Sequence, residues 1–139
     1  MRVLVCGGQE YADRMKVREV LDSILIEHEI ELLVHGGRPG ADRLAGEWAM
    51  SRDVQQVVCN QWPASEGAAY VSTVRQMIEI LSRSEECLVV AFPGGLGTSV
   101  LVEAARAMSI RVIEITGFEE PWRLGFVENL AARPPAPHG

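Results

Sequence analysis

The residues most suited to chemistry in this chain gather around glycine turns. The segment Phe92-Pro93-Gly94-Gly95-Leu96-Gly97-Thr98 follows an apolar run and precedes a helical pattern. Such a turn brings loop N–H groups and a helix N-terminus toward one point. That point favours an anion, because unpaired N–H groups and the helix dipole are both positive there. Gly94, Gly95 and Gly97 carry no Cβ to block a ligand, Pro93 stiffens the entry, and Thr98 offers a hydroxyl at or near the N-cap. The chemistry to expect of this loop is phosphate binding. Two further glycine pairs, Gly7-Gly8 and Gly36-Gly37, follow apolar runs in the same way.

Several side chains beside these turns bear on a ligand. Arg38 lies in the second glycine loop and has the planar fork that clamps phosphate. Arg75, further along, is a second candidate for the same ligand. Asp42 follows Gly36-Gly37 and Gly40 and sits in the first turn of a helix, where it either caps that helix or meets the ligand. Glu10 follows the first strand, while Glu47 and Glu103 lie deeper in helices, where solvated faces are the rule. His35 ends a strand and suits a hydrogen bond to loop backbone. Tyr11 and Trp62 either stack on a base or pack against the sheet. No histidine, cysteine or carboxylate spacing reads as a metal site, no serine or cysteine stands in a nucleophile elbow, and no cofactor is implied.

These residues need a scaffold, and the hydrophobic pattern supplies one. Short apolar runs at Arg2–Cys6, Glu31–His35, Gln55–Cys59, Cys87–Ala91 and Arg111–Ile115 read as buried parallel strands. Between them, apolar residues recur at helical spacing over Asp13 to about His28, Gly40 to Met50, Ala69 to Ser82, and Ser99 to Met108. Asp13 is a suitable N-cap. The alternation predicts an α/β fold, a three-layer Rossmann-like sandwich with a five-stranded parallel sheet. Right-handed crossovers with one reversal give the order 3-2-1-4-5. In that order the three glycine pairs follow strands one, two and four and converge on one crevice. Residues 1–132 read as one domain, with a short helix over Trp122–Leu130 and a proline-rich tail, 133–139, expected to be disordered.

Composition narrows the function classes. The chain has 139 residues, 47% hydrophobic and 23% charged, with a formal charge of −6. That balance argues against a nucleic-acid partner, which wants a surplus of Lys and Arg, while a small anion needs only local N–H groups and an arginine. No apolar run approaches the ~20 residues of a membrane helix. The N-terminal apolar run is too short for a signal peptide. The three cysteines, Cys6, Cys59 and Cys87, form no CxxC pair and read as reduced, buried thiols. A cytoplasmic location is expected.

Three segments carry a resemblance over about residues 2–115. They are Cys6-Gly7-Gly8-Gln9-Glu10-Tyr11, His35-Gly36-Gly37-Arg38-Pro39-Gly40-Ala41-Asp42 continuing into Leu44-Ala45 and Trp48-Ala49, and Ala91 to Thr98. In these the chain resembles the SLOG superfamily, and within it the small YspA-like group. The resemblance implies a Rossmann-like fold that binds nucleotides or nucleotide-derived ligands. It also implies a homodimer. LOG-type members are phosphoribohydrolases that cleave the bond between a base and ribose 5′-monophosphate. Their signature is PGGxGT with a glutamate three residues after the Thr, plus an upstream arginine.

Here that glutamate's place is held by Leu101. Glu103 is the nearest alternative and falls on a different helix face. Arg75 lies roughly where the upstream arginine is expected, at a different spacing. Binding of a nucleotide-like molecule, as a sensor, carrier or sequestering protein, is therefore the leading expectation. A phosphoribohydrolase with a rearranged carboxylate, drawn from Asp42, Glu10 or Glu103, is the alternative. DNA handling, after the DprA branch, is a third reading that the acidic composition disfavours.

Overall fold

The computed structural model describes residues 1–59 and 66–116. Five strands alternate with four helices: β1 Arg2–Cys6, α1 Arg14–Glu27, β2 Leu32–His35, α2 Ala41–Ser51, β3 Gln56–Val58, α3 Glu66–Leu81, β4 Cys87–Ala91, α4 Leu96–Ala107 and β5 Arg111–Glu114. All pairings are parallel, and the order is β3-β2-β1-β4-β5, as the alternation predicts. Trp62, the segment Trp122–Leu130 and the tail 133–139 lie outside the described residues.

Successive side chains of a strand point to opposite faces, so each central strand feeds two cores. Val3 and Val5 of β1 join Val17, Leu21 and Ile24 of α1 and Ala45, Trp48 and Ala49 of α2 on one face. Leu4 and Cys6 join Met77, Ile78 and Leu81 of α3 and Leu101, Val102 and Ala105 of α4 on the other. Asp13 caps α1 as its type suggests: its Oδ1 accepts the Lys16 N–H at 3.0 Å. A bidentate ion pair ties α2 to α1. Arg52 Nε and Nη2 each donate to the Asp22 carboxylate at 2.8 Å, and Trp48 Nε1 donates to the same group at 2.8 Å. The C-terminal end of α2 is thereby anchored and its N-terminal end is held beside the sheet.

Two helix starts differ from the periodicity. α3 begins at Glu66 rather than Ala69, and α4 begins at Leu96 rather than Ser99. The second matters for chemistry. Gly95 is the N-cap, so Thr98 is the third residue inside α4 and makes no side-chain cap. Its hydroxyl instead lies over Gly94.

The reversal of strand order falls between β1 and β4. There the loops after β1 and β4 diverge to opposite sides and leave a crevice beyond the carboxyl ends of the strands.

Candidate functional site

Three loops meet at that crevice, and backbone hydrogen bonds fasten them together. Phe92 N–H donates to the Cys6 carbonyl, and Gly8 N–H donates to the Pro93 carbonyl, both at 2.9 Å. The Gly8 carbonyl in turn accepts from Tyr11 at 3.2 Å and Ala41 at 3.3 Å. Loop one is thus bonded to both of its neighbours.

Side chains would prevent this packing. A Cβ on Gly7 would lie 2.6 Å from Ala41 Cβ, and one on Gly94 would lie 2.6 Å from the Gly8 nitrogen. One on Gly8 would press on the Pro93 carbonyl at 3.0 Å. These three glycines therefore serve loop-to-loop contact. Gly95 differs from them, because beyond its chain neighbours no atom lies within 4 Å of the place its Cβ would take.

The cleft has a volume of about 740 Å³. Gly7, Gly8, Gln9, Glu10 and Tyr11 line it from the first loop. Gly36, Arg38 and Asp42 line it from the second, and Pro93, Gly94 and Gly95 from the third, continuing into Leu96, Gly97 and Thr98 of α4. The first N–H groups of a helix have no carbonyl within the helix to bond, so this end of α4 is the electropositive part of the wall. Tyr11 does not stand free as a stacking platform. Its ring packs on Phe92 with centroids 5.3 Å apart and a 36° tilt.

The floor is apolar. Cys6, Met77 and Leu101 line it, each less than a tenth exposed. Burial holds the Cys6 thiol far up in its protonated form, which removes it as a nucleophile. Leu101 and Met77 were not candidates from residue chemistry. Helical geometry would have found the first, since Thr98 and Leu101, three residues apart, share a face.

Asp42 is the electrostatic centre of the second loop. Its Oδ2 accepts the N–H groups of Gly36 at 3.1 Å and Arg38 at 3.3 Å. Burial, the largest influence, pushes its carboxyl up to about 6, against the two backbone hydrogen bonds and the Arg38 guanidinium, which favour the charged form. A folded-state value above the unfolded one means that the native state holds the proton more tightly. Its stabilising effect is complete below the unfolded value of 3.8 and is lost as pH rises through about 6. The difference corresponds to about 3 kcal/mol. Asp42→Asn keeps the acceptor and never ionises. Relative to wild type, it should gain about that much stability between pH 4 and pH 8, as urea unfolding at the two pH values would show.

His35 does not face the cleft. Its Nδ1 accepts the Gly37 N–H at 3.0 Å, which leaves Nε2–H to donate to Gln56 Oε1 at 2.8 Å. Desolvation pulls the ring's pKa down, so the neutral tautomer serves as a brace between β2, β3 and the loop.

The structure distributes the other candidates unevenly. Glu10 is exposed at the cleft. Gly37 and Gly40 shape the second loop from outside the lining, with φ of 72° and 88°. Glu103 is exposed and is not brought to the cleft, because it is two residues beyond Leu101 and so about 200° round α4. Arg75 is not brought there either. It lines a separate groove of about 460 Å³ between α3 and α4, with Val71, Val74, Ile78 and Met108. Glu47 is engaged at the surface by Arg14 at 2.8 Å. Among the described residues no group of three His, Cys, Asp or Glu side chains is placed to hold a metal ion, and no helix is long and apolar enough to cross a membrane.

A parallel, reversed-order sheet with a glycine-walled cleft at its switch point defines a Rossmann-like protein. Residues 1–63 match the model of the YspA, cpYpsA-related SLOG family, and this match supports membership in the SLOG superfamily. The matched span runs from β1 through β3 and carries the first two cleft loops. A comparison with curated proteins gave no match.

Proposed function

We propose that the protein binds a nucleotide or nucleotide-derived molecule in this cleft. The phosphate sits at the first turn of α4 and the rest of the ligand lies toward Arg38 and the first loop. The observation that carries this reading is Gly95, whose Cα faces open space at the N-terminus of α4 within a cleft of about 740 Å³. The volume suits a mononucleotide or a small dinucleotide. Superfamily membership supports a nucleotide-related ligand. The reading is binding rather than cleavage, because the wall position three residues after Thr98 carries Leu101 and offers no charge to stabilise an oxocarbenium-like transition state. Calorimetry at pH 6 against nucleoside monophosphates, ADP-ribose and related dinucleotides tests it. Micromolar binding by at least one of them is expected, with no free base released over the same period. Absence of binding across the panel refutes it.

The same reading includes a cytoplasmic homodimer formed across the α3–α4 groove. Val71 and Met108, 51% and 59% exposed, line that groove together with the buried Val74 and Ile78. Arg75 and Glu79 are one turn apart on that face, so a two-fold axis passing between them sets each against its opposite on the second copy. Light scattering should give a dimer for the wild type and a monomer for Val71→Glu, with nucleotide binding retained. A monomeric wild type sinks the dimer without touching the cleft.

A further inference from the structure

The second loop leaves half of a buried carboxylate uncommitted. Oδ2 of Asp42 takes both the Gly36 and Arg38 N–H groups. Oδ1 has no hydrogen bond with any described residue, and it is not among the side-chain atoms sealed from solvent without a partner. Asp42 is only 7% exposed and lines the cleft, and Oδ1 is the carboxylate oxygen that neither loop N–H takes.

The charges around it make an anion a poor neighbour for an ionised Asp42. Arg38 is the one cationic side chain lining the cleft among the described residues, and Asp42 and Glu10 oppose it there. Cys6 faces Asp42 from β1 as a neutral thiol. From β2, His35 is neutral and occupied by Gln56 and Gly37. α3 and α4 turn Met77, Thr98 and Leu101 toward the cleft, none of which carries charge. On this count a phosphate arriving at α4 would bring like charge toward a carboxylate with little compensation nearby.

We propose that Asp42 meets the ligand, whose phosphate sits at α4, as a carboxylic acid, with Oδ1–H donating to a ligand oxygen, so that binding takes up one proton from solvent. The Oδ2 bonds keep the loop in place in both states, and the proton changes only what the cleft presents. Asp42 is then a specificity device. It favours ligands that offer an acceptor at this point and disfavours those that offer a hydroxyl donor alone. This inference rests on the nucleotide reading above. The raised proton affinity of the buried carboxyl is consistent with it, since uptake then requires no strongly acidic solution.

The test is calorimetry with ADP-ribose from pH 5.5 to pH 8.5, in paired buffers of different ionisation enthalpy. The diphosphate of ADP-ribose carries constant charge over that range, so any linked proton belongs to the protein. Wild-type affinity should weaken by about tenfold per pH unit above pH 7, with close to one proton taken up per ligand. Asp42→Asn, a permanently neutral donor, should bind with affinity independent of pH and at least tenfold tighter than wild type at pH 8. Affinity that is flat in wild type, or that rises with pH as it would for a ligand hydroxyl on an ionised Asp42, overturns the proposal and leaves the nucleotide reading standing. No ADP-ribose binding at pH 5.5 by wild type and Asp42→Asn alike overturns this proposal, and the nucleotide reading falls with it when the rest of the panel also fails to bind. Should Asp42→Asn fail to fold, the wild-type proton count from the paired buffers decides alone.

Discussion

Gly40→Ala should lower stability by about 3–5 kcal/mol, since it combines backbone strain with a clash against fixed backbone. Gly40 has φ 88° and ψ −133° as the N-cap of α2, a region of backbone space that side chains rarely enter. Strain of that kind costs of order 1–3 kcal/mol. A second cost comes from contact. The new Cβ would run into the Gly8 carbonyl and lie 2.6 Å from the Gln9 carbonyl, both of them backbone atoms with no rotamer to change. Relief requires loop one and α2 to part. That lengthens the Ala41 N–H bond to Gly8 and disturbs the position of Asp42 one residue later. Urea unfolding monitored by circular dichroism measures the loss. A change under 1 kcal/mol would mean that the loop relaxes freely and that the crevice is not the rigid assembly described above.

Gly95→Val should do the reverse, losing ligand and keeping the fold. Gly95 has φ −99°, which any residue adopts, and beyond its chain neighbours its Cβ position meets no atom within 4 Å. Valine is a poorer N-cap than glycine, so a stability loss of about 1 kcal/mol or less is expected. Its methyl groups would occupy the space against the first turn of α4, where the proposed phosphate approaches the backbone most closely. Nucleotide affinity should fall at least 100-fold, about 2.7 kcal/mol. Unchanged affinity would remove the phosphate from this loop. Paired with Gly40→Ala, the experiment separates a glycine that holds the loops together from one that lies open to the proposed ligand.

The contrast between these glycines marks where sequence reading stopped short. Gly7, Gly8, Gly36, Gly37, Gly94 and Gly95 look alike as three pairs after three strands. A Cβ at Gly7 meets Ala41 across the crevice and one at Gly94 meets Gly8, so the reason for these two glycines lies in another segment of the chain. Glycine pairs therefore announce a crowded crevice without saying what crowds it. Asp42 shows the same limit. Residue type and position left helix cap and ligand contact open. The geometry gives Oδ2 to the Gly36 and Arg38 N–H groups and sets the carboxyl in the cleft wall.

The scaffold was far more legible. Each strand is a short apolar run and each helix an apolar stripe at 3.6-residue spacing. These signals are local, and the right-handed crossover then leaves few ways to order the strands. Strand order, the two covered faces and the position of the crevice followed from the chain alone. The starts of α3 and α4 did not; for α4 the reason is that Leu96-Gly97-Thr98 carries no helical stripe. That shift moved Thr98 from the cap into the helix.

The absence of a glutamate at position 101 could be read at once, and so could the fact that Glu103 belongs to another face, since both are matters of counting along a helix. Where Arg75 goes required the fold. It lies on α3, whose rotation about its own axis is set by Val74, Met77, Ile78 and Leu81 packing into the second core. Those contacts turn Arg75 into the α3–α4 groove and away from the cleft. Periodicity along the chain sets which residues share a face, but the direction a face looks is fixed by the distant residues it packs against.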